Sequence, residues 1–372
     1  ARSMTEAFGL EWPKSRFGQT KSPVANFVLE RQFHLPNSYG MAHRKALAQL
    51  TVTIKKIVST NAIRHFTLAA SFQETARCMP DTTATPSPLS GVKVIELTHL
   101  IAGPYCTQLL AEEGAQVIKI EPPGGELTRH REPFRESGQG RISGYFGALN
   151  RGKKSVVLDL KNPAGLSTLL DLLAGADVFV TNMRAAALKR LGLHPRDLAD
   201  RFPRLIVASI SGFGIENAGV NEDRAGLAMV AEAMSGTTGL TRDHQGQPVW
   251  CGFAMGDIMA AMSTHAAILL ALRNQERHGL GRLLDIGMVE CSLPMVSVAL
   301  AREQSASAEL RAFAGSNNFH GVPYGAFPAK DGHVNIGVNH DLFWKRLCQA
   351  MERPELGDDP RYATYVERAK RQ

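Results

Sequence analysis

The sequence predicts an α/β fold built on a mainly parallel sheet. Three observations carry that prediction: short β-branched and aliphatic runs that end in polar loops, segments of helical period between them, and Gly or Pro at the junctions. The run GVKVIEL reads as a buried strand, THLIAGP as a loop, and PYCTQLLAEEG as a helix with Pro104 near its start and Gly114 past its end. AQVIKIE is the next strand, which completes a βαβ unit. The alternation continues through the strand SVVLDL, the helix PAGLSTLLDLLAG, the strand ADVFVTN, the helix AAALKRLG and the strand LIVASIS. Sheets of this kind are covered by helices and hold ligands beyond the carboxyl ends of their strands.

After Gly212 the pattern turns helical. RAGLAMVAEAMSG, the long segment after Asp257, the strand-like RLLDIGM and VECSLPMVSVALAREQ are expected to form a layer around the sheet. AFAGSNNFHGVPYGAF reads as a boundary, and YGAFPAKDGHVNIGV as a hairpin whose tip carries an Asp-Gly turn signal. The helix HDLFWKRLCQAM and a basic final helix then make a small α+β region with too few elements to close a compact unit. The organisation expected is 1–88 as an N-terminal extension, 89–312 as a large domain and 313–372 as a small, C-terminally truncated one.

With 372 residues and 44% hydrophobic content, the chain can bury one large core or a large and a small one. Its net charge of +7 is concentrated: residues 1–78 carry 11 Lys/Arg against four Glu, and the remainder has 31 groups of each sign. A phosphate-neutralising stripe is therefore not expected on the globular part, and no nucleic-acid partner is expected. Apolar stretches such as AAILLAL fall short of the roughly 18 residues of a membrane span, so no membrane partner is expected. Five cysteines (Cys78, Cys106, Cys251, Cys291, Cys348) are scattered without zinc spacing, which favours reduced thiols in the cytoplasm and no metal. Residues 1–78 look foreign to the rest. A transit segment is one reading; the preferred one is that Met79 is the natural start, because MPDTTATPSPLSG is a short polar leader into the first strand.

Asp257 lies between Gly256 and a long apolar helix, where a carboxylate can cap that helix or act as a nucleophile. The loop before Pro104, with Glu121 ending the next strand, resembles half of a dinucleotide site. HLIAGPYC nevertheless supplies one glycine where the fingerprint needs three, so an NAD dehydrogenase is the weaker alternative.

Four runs carry a family resemblance: LSGVKVIELTHLIAGPYCTQLLAEEGAQVIKIEPPGG, LNRGKKSVVLDLKNPAG, DVFVTN with LKRLGL, and ASISGFG. They resemble the class III CoA-transferases, the formyl-CoA transferase and carnitine CoA-transferase (CaiB/BaiF-like) family. The resemblance runs from about residue 89 to the C-terminus. It implies a Rossmann-like large domain with a mainly parallel sheet, a smaller α+β domain and an interlocked homodimer. It implies coenzyme A as cosubstrate, no tightly bound cofactor, and acyl-CoA and carboxylic acid substrates.

By the same resemblance Asp257 is the catalytic carboxylate, which forms a mixed anhydride and then an aspartyl-CoA thioester. Its place at a helix N-terminus is expected to favour the charged form. The resemblance assigns CoA contacts to the loop His99, Leu100, Ile101 and Ala102, and to Leu158, Lys161, Asn182, Met183 and Arg190. Lys and Arg suit phosphate oxygens.

Departures from the family pattern matter too. Met183 stands where an aromatic is common, and Leu227-Ala228 stand where related racemases have a His-Asp pair. A two-base racemase is therefore disfavoured. The glycine-rich loop of formyl-CoA transferase is replaced by SNNFHGVPYG, so formyl or oxalate specificity is not expected, and His320 in that loop stays outside the site. A catalytically inactive CoA-binding paralogue or fragment is the third reading. Succinyl-CoA is the donor expected from family habit.

Overall fold

The computed structural model describes residues 86–371 except 138–139, 217–218, 222–223, 244, 246 and 306–321. The readings of the basic extension through residue 85, of Met79 as a start, of His320 and of a boundary near residue 313 lie outside those residues. In chain order the elements are β1 (Lys93–Leu97), α1 (Ala102–Glu112), β2 (Gln116–Glu121), β3 (Phe134–Ser137), β4 (Gly140–Ser143), α2 (Gly144–Leu149), β5 (Lys154–Val157) and α3 (Pro163–Ala174). There follow β6 (Val178–Thr181), α4 (Ala185–Arg190), α5 (Pro195–Arg201), β7 (Ile206–Ser211), α6 (Ala228–Met234), α7 (Met255–His278), β8 (Leu283–Gly287) and α8 (Met288–Ser305). The last are β9 (Tyr324–Ala329), β10 (Gly332–Gly337), α9 (Asp341–Ala350), α10 (Glu355–Asp358) and α11 (Tyr365–Ala369).

The six-stranded sheet runs β5-β2-β1-β6-β7-β8 with every neighbouring pair parallel. The α/β class and the mainly parallel sheet are thus as read from the sequence. RLLDIGM, expected in a surrounding layer, is instead the edge strand β8 paired to β7. Its residues have the apolar alternation of a strand, and Asp285 is accommodated because it accepts loop N–H groups at the strand end. The β3/β4 hairpin and the helices α2 and α5 were not anticipated, although Pro195 opens α5 at a favoured position.

Alternation along β1 divides the core. Val94 faces one side with Val117, Val178, Ile206 and Ala208, against Cys106 and Leu110 of α1 and Ala260, Ala261 and Ile268 of α7. Ile95 and Leu97 face the other side, with Phe179 and Val207 against α3, α4 and α5 through Leu169, Leu188 and Leu198. The helix α7 is long and apolar enough to cross a membrane by length and composition. One side of it covers this sheet through Ala260, Ala261 and Ile268.

Glu96, on the α1 side of β1, is fully buried with two cations: Lys119 Nζ at 2.8 Å and Lys153 Nζ at 2.9 Å. It also accepts from Thr98 Oγ1 and, at 2.7 Å, from Thr107 Oγ1 of α1. Burial opposes the charge, but Lys119 and Lys153 outweigh it, so the Glu96 carboxyl lies below its ordinary value. Burial pulls Lys153 down to about 8 despite Glu96. Lys153 Nζ also donates to Pro104 O at 2.8 Å, so the network ties the first turn of α1 to the sheet.

The described residues after Gly321 belong to a unit separate from the sheet domain. The hairpin turns at Lys330-Asp331 with Gly332 already paired to Ala329, so the Asp-Gly signal straddles the turn rather than forming its centre. Val338, Trp344, Cys348 and Leu356 form a small core. The buried Arg368 donates to Val322 O at 2.7 Å, Tyr362 O at 2.9 Å and Asp341 Oδ1 at 2.8 Å, joining strand entry, helix and C-terminal turn.

Candidate active site

The strand order reverses between β1 and β6, so the chain departs in opposite directions from their carboxyl ends and leaves a crevice there. Thr98–Ile101 and Asn182-Met183 flank it. Asn182 joins the two sides: its Oδ1 accepts from His99 N at 2.9 Å and its Nδ2 donates to His99 O at 2.8 Å. Leu100 holds a left-handed backbone, φ +65°, which a branched residue adopts only when its surroundings enforce it. The buried Glu126 supplies that constraint by accepting from Leu100 N at 3.0 Å. Burial moves His99 below its ordinary value, against the opposing effect of Glu126.

Ile101 leads into α1 without a side-chain cap, which leaves the amino end of that helix for other partners. A Cβ on Gly103 would come within 2.4 Å of the Thr98 side chain, so only glycine lets the loop turn this tightly into the helix. Ala102 N–H donates to the Asp257 carboxylate.

Asp257 lies in the first turn of α7 and does not cap it, which was one of the two roles open to it in the sequence. The N-cap residue is Ala254, and the N–H of Gly256 is accepted at 3.0 Å by Oε1 of buried Glu232 on α6. Glu232 Oε2 accepts from Trp250 Nε1 at 3.1 Å. Freed of capping, Asp257 turns to the amino end of α1. The expectation that a helix N-terminus would favour its charge is corrected. Burial and the charge of Glu232 outweigh the Ala102 N–H, and the carboxyl is pushed up to about 6. The Tyr145 hydroxyl on α2 is electrostatically coupled to Asp257, with Arg131 and Glu126 beside it.

The remaining assigned residues divide. Lys161, Met183 and Arg190 line one cavity of about 590 Å³ between α3 and α4, together with Leu160, Leu166 and Ala187. Leu158 lies outside that lining and packs against the core under α3. A second cavity, lined by Gly91, Asp177, Arg204 and Gln275, opens at the opposite edge of the sheet, where the strands begin. Glu121 is not free for a ribose. It takes Arg129 in two contacts of 2.6 Å, Ser155 Oγ at 2.6 Å and Glu126 N at 2.9 Å, which leaves the NAD reading without its acidic partner.

Sequence reasoning missed Glu232, Glu126 and Tyr145. The available signal for Glu232 was a lone acid in the apolar run AMVAEAM; for Tyr145 there was none.

The model of the family described as CoA-transferase family III matches residues 89–372. A succinyl-CoA:mesaconate CoA-transferase of Haloarcula hispanica is 36% identical over 274 residues, 73% of this chain and 69% of that protein. A succinyl-CoA–D-citramalate CoA-transferase of Chloroflexus aurantiacus is 36% identical over 291 residues, 77% of this chain and 70% of that protein. The crystal structure of a CaiB/BaiF family protein from Brucella suis superposes with a TM-score of 0.66 at 31% identity, covering 77% of this chain and 75% of that one. On this match of sequence and fold, the chain belongs to CoA-transferase family III and is an enzyme of that family.

Proposed function

We propose that this enzyme moves CoA from an acyl-CoA, with succinyl-CoA as donor, to a free carboxylic acid, and that Asp257 is the nucleophile. The observation that carries the reading is the half-buried Asp257 carboxylate, unused by its own helix and turned to the amino end of α1 beside the crevice. Two succinyl-CoA-dependent relatives support the donor. The Asp257 oxygen attacks the thioester carbon, the C–S bond breaks and CoA leaves as thiolate. The thiolate then attacks the Asp257 carbonyl carbon of the mixed anhydride, which releases the donor acid as carboxylate. The acceptor carboxylate attacks the resulting aspartyl thioester, and the thiolate released takes the acceptor acyl carbon and restores Asp257. Each step exchanges carboxylate for thiolate, so no net proton moves.

CoA is the cosubstrate, and no tightly bound cofactor is required. Its phosphates and adenine take the cavity of Lys161, Met183 and Arg190, and its pantetheine crosses the His99–Ala102 loop and Asn182 toward Asp257; Leu158 acts by supporting the wall. Against a racemase, Leu227 and Ala228 bring no ionisable side chain, and a Cβ on Gly256 would come to 3.2 Å from the Ala228 carbonyl oxygen, so Ala228 lies close to the turn that carries Asp257. A large domain over 89–312, a small one over 313–372, a homodimer and a cytoplasmic location belong to the same proposal. The exposed apolar side chains Leu270, Leu293, Val298 and Leu300 on α7 and α8 support a second copy as their cover.

The test is incubation with succinyl-CoA, trapping with hydroxylamine or borohydride, and mapping of the modified peptide. The expected label is on Asp257, with no α-deuterium exchange in heavy water. Intact turnover by Asp257→Asn overturns the mechanism, and α-exchange without transfer favours a racemase.

A further inference from the structure

We propose that Glu232 is a positioning residue for the reaction: from α6 it caps α7 at Gly256 and sets a second negative charge beside the nucleophile. The inference rests on the reading of Asp257 given above. Glu232 is 1% exposed, yet no cation contacts its carboxylate in the described contacts; its two oxygens accept the Gly256 N–H and the Trp250 indole N–H. A buried carboxylate held by two neutral donors is an expensive way to cap a helix, because Ser, Thr or Asn does so without burying charge. What the charge adds is its effect on the adjoining side chain.

Among the described residues, the groups that act on Asp257 are the charge of Glu232 from α6 and the Ala102 N–H at the amino end of α1, and Asp257 in turn acts on the Tyr145 hydroxyl of α2, as do Arg131 and Glu126. On α8 the ionisable Cys291 faces Ser263, further along α7. Among the described residues Glu232 is therefore the acid that opposes the charge of Asp257. A carboxylate made more basic in this way attacks a thioester more readily and leaves its anhydride less readily, which lengthens the life of the intermediate that the returning thiolate must meet. The cap has a second effect. It fixes the turn from which Asp257 projects, and through Trp250 it ties that turn to the segment between α6 and α7.

The experiment measures single-turnover acylation of the full-length protein by succinyl-CoA from pH 4.5 to 8.5, by intact mass, with thermal melting as the control for folding. Glu232→Gln retains an acceptor for Gly256 and removes the charge. Its acid-limb midpoint is expected to fall by about one pH unit, so that the rate at pH 5 relative to its own plateau rises about fivefold. Trp250→Phe removes the indole bond and keeps the charge, and its midpoint is expected to match wild type. If Glu232→Gln does not fold, Glu232→Asp, which withdraws the charge by one methylene, is expected to lower the midpoint by less. An unmoved midpoint in the folded Glu232 variant, with Asp257→Asn unacylated, overturns the role of Glu232 and leaves Asp257 standing. Acylation of Asp257→Asn at the wild-type rate overturns both.

Discussion

Glu121 and Asp257 are carboxylates near the same edge of one sheet, and their surroundings treat them oppositely. Glu121 at the end of β2 is 1% exposed and receives Arg129, Ser155 Oγ and the Glu126 N–H, and its carboxyl falls to about 2 although burial alone would raise it. Asp257 receives the Ala102 N–H and stands beside Glu232; burial and that like charge lift it to about 6. A saturated carboxylate builds structure, because any further partner has no lone pair to take. An under-coordinated one keeps its electrons for reaction. The direction of the shift follows from the partners: three donor groups lower Glu121, while burial and a like charge raise Asp257.

The sharpest way to break this comparison is Asp257→Asn. Its transfer rate is expected to fall by about 10⁴-fold or more, measured as succinyl-CoA consumption with an acceptor acid. If the saturated region is purely architectural, Glu96→Gln there should cost about 3–5 kcal/mol in urea unfolding, since it leaves Lys119 and Lys153 buried without their anion. Transfer per folded molecule should change far less.

The two carboxylates also set opposite pH windows. For Asp257 the folded chain holds its proton up to about pH 6 and the unfolded chain only to the ordinary 3.8. Its ionisation therefore opposes folding fully above pH 6, and the opposition fades as pH falls toward 3.8. Asp257→Asn is expected to gain up to about 3 kcal/mol at pH 8 and nothing near pH 3.5, read from melts across pH. For Glu121 the folded value lies below the ordinary 4.5, so its support is complete above 4.5 and is lost as pH falls through about 2. Arg129→Ala should destabilise at pH 7 and matter little near pH 2. The smallest effect belongs to the cavity between α3 and α4: Arg190→Ala and Lys161→Ala are each expected to raise the KM for acyl-CoA about tenfold and to leave kcat nearly unchanged.

Much of this was legible from the chain. The strands around Val94, Val117, Val178 and Val207 and the helices between them follow from apolar period alone, whereas the loop His99–Ala102 enters the site through the family resemblance. The β3/β4 hairpin was not, since Phe134–Ser143 has almost no buried face and so leaves no alternation. The role of Glu232 was hidden for a different reason. Its partner Gly256 is 24 residues away, and a local reading gave the cap to the nearest acid, Asp257. Local propensity could name the two jobs but not divide them between two carboxylates that only the packing of α6 on α7 brings together.

Leu100 points to a conflict for anyone engineering the molecule. Glycine at that position would relieve a strained φ of +65° and by that measure make the chain hardier by about 1 kcal/mol. It would also free the segment whose fixed shape aims the Ala102 amide, so a screen for heat tolerance and a screen for turnover are expected to choose different residues there.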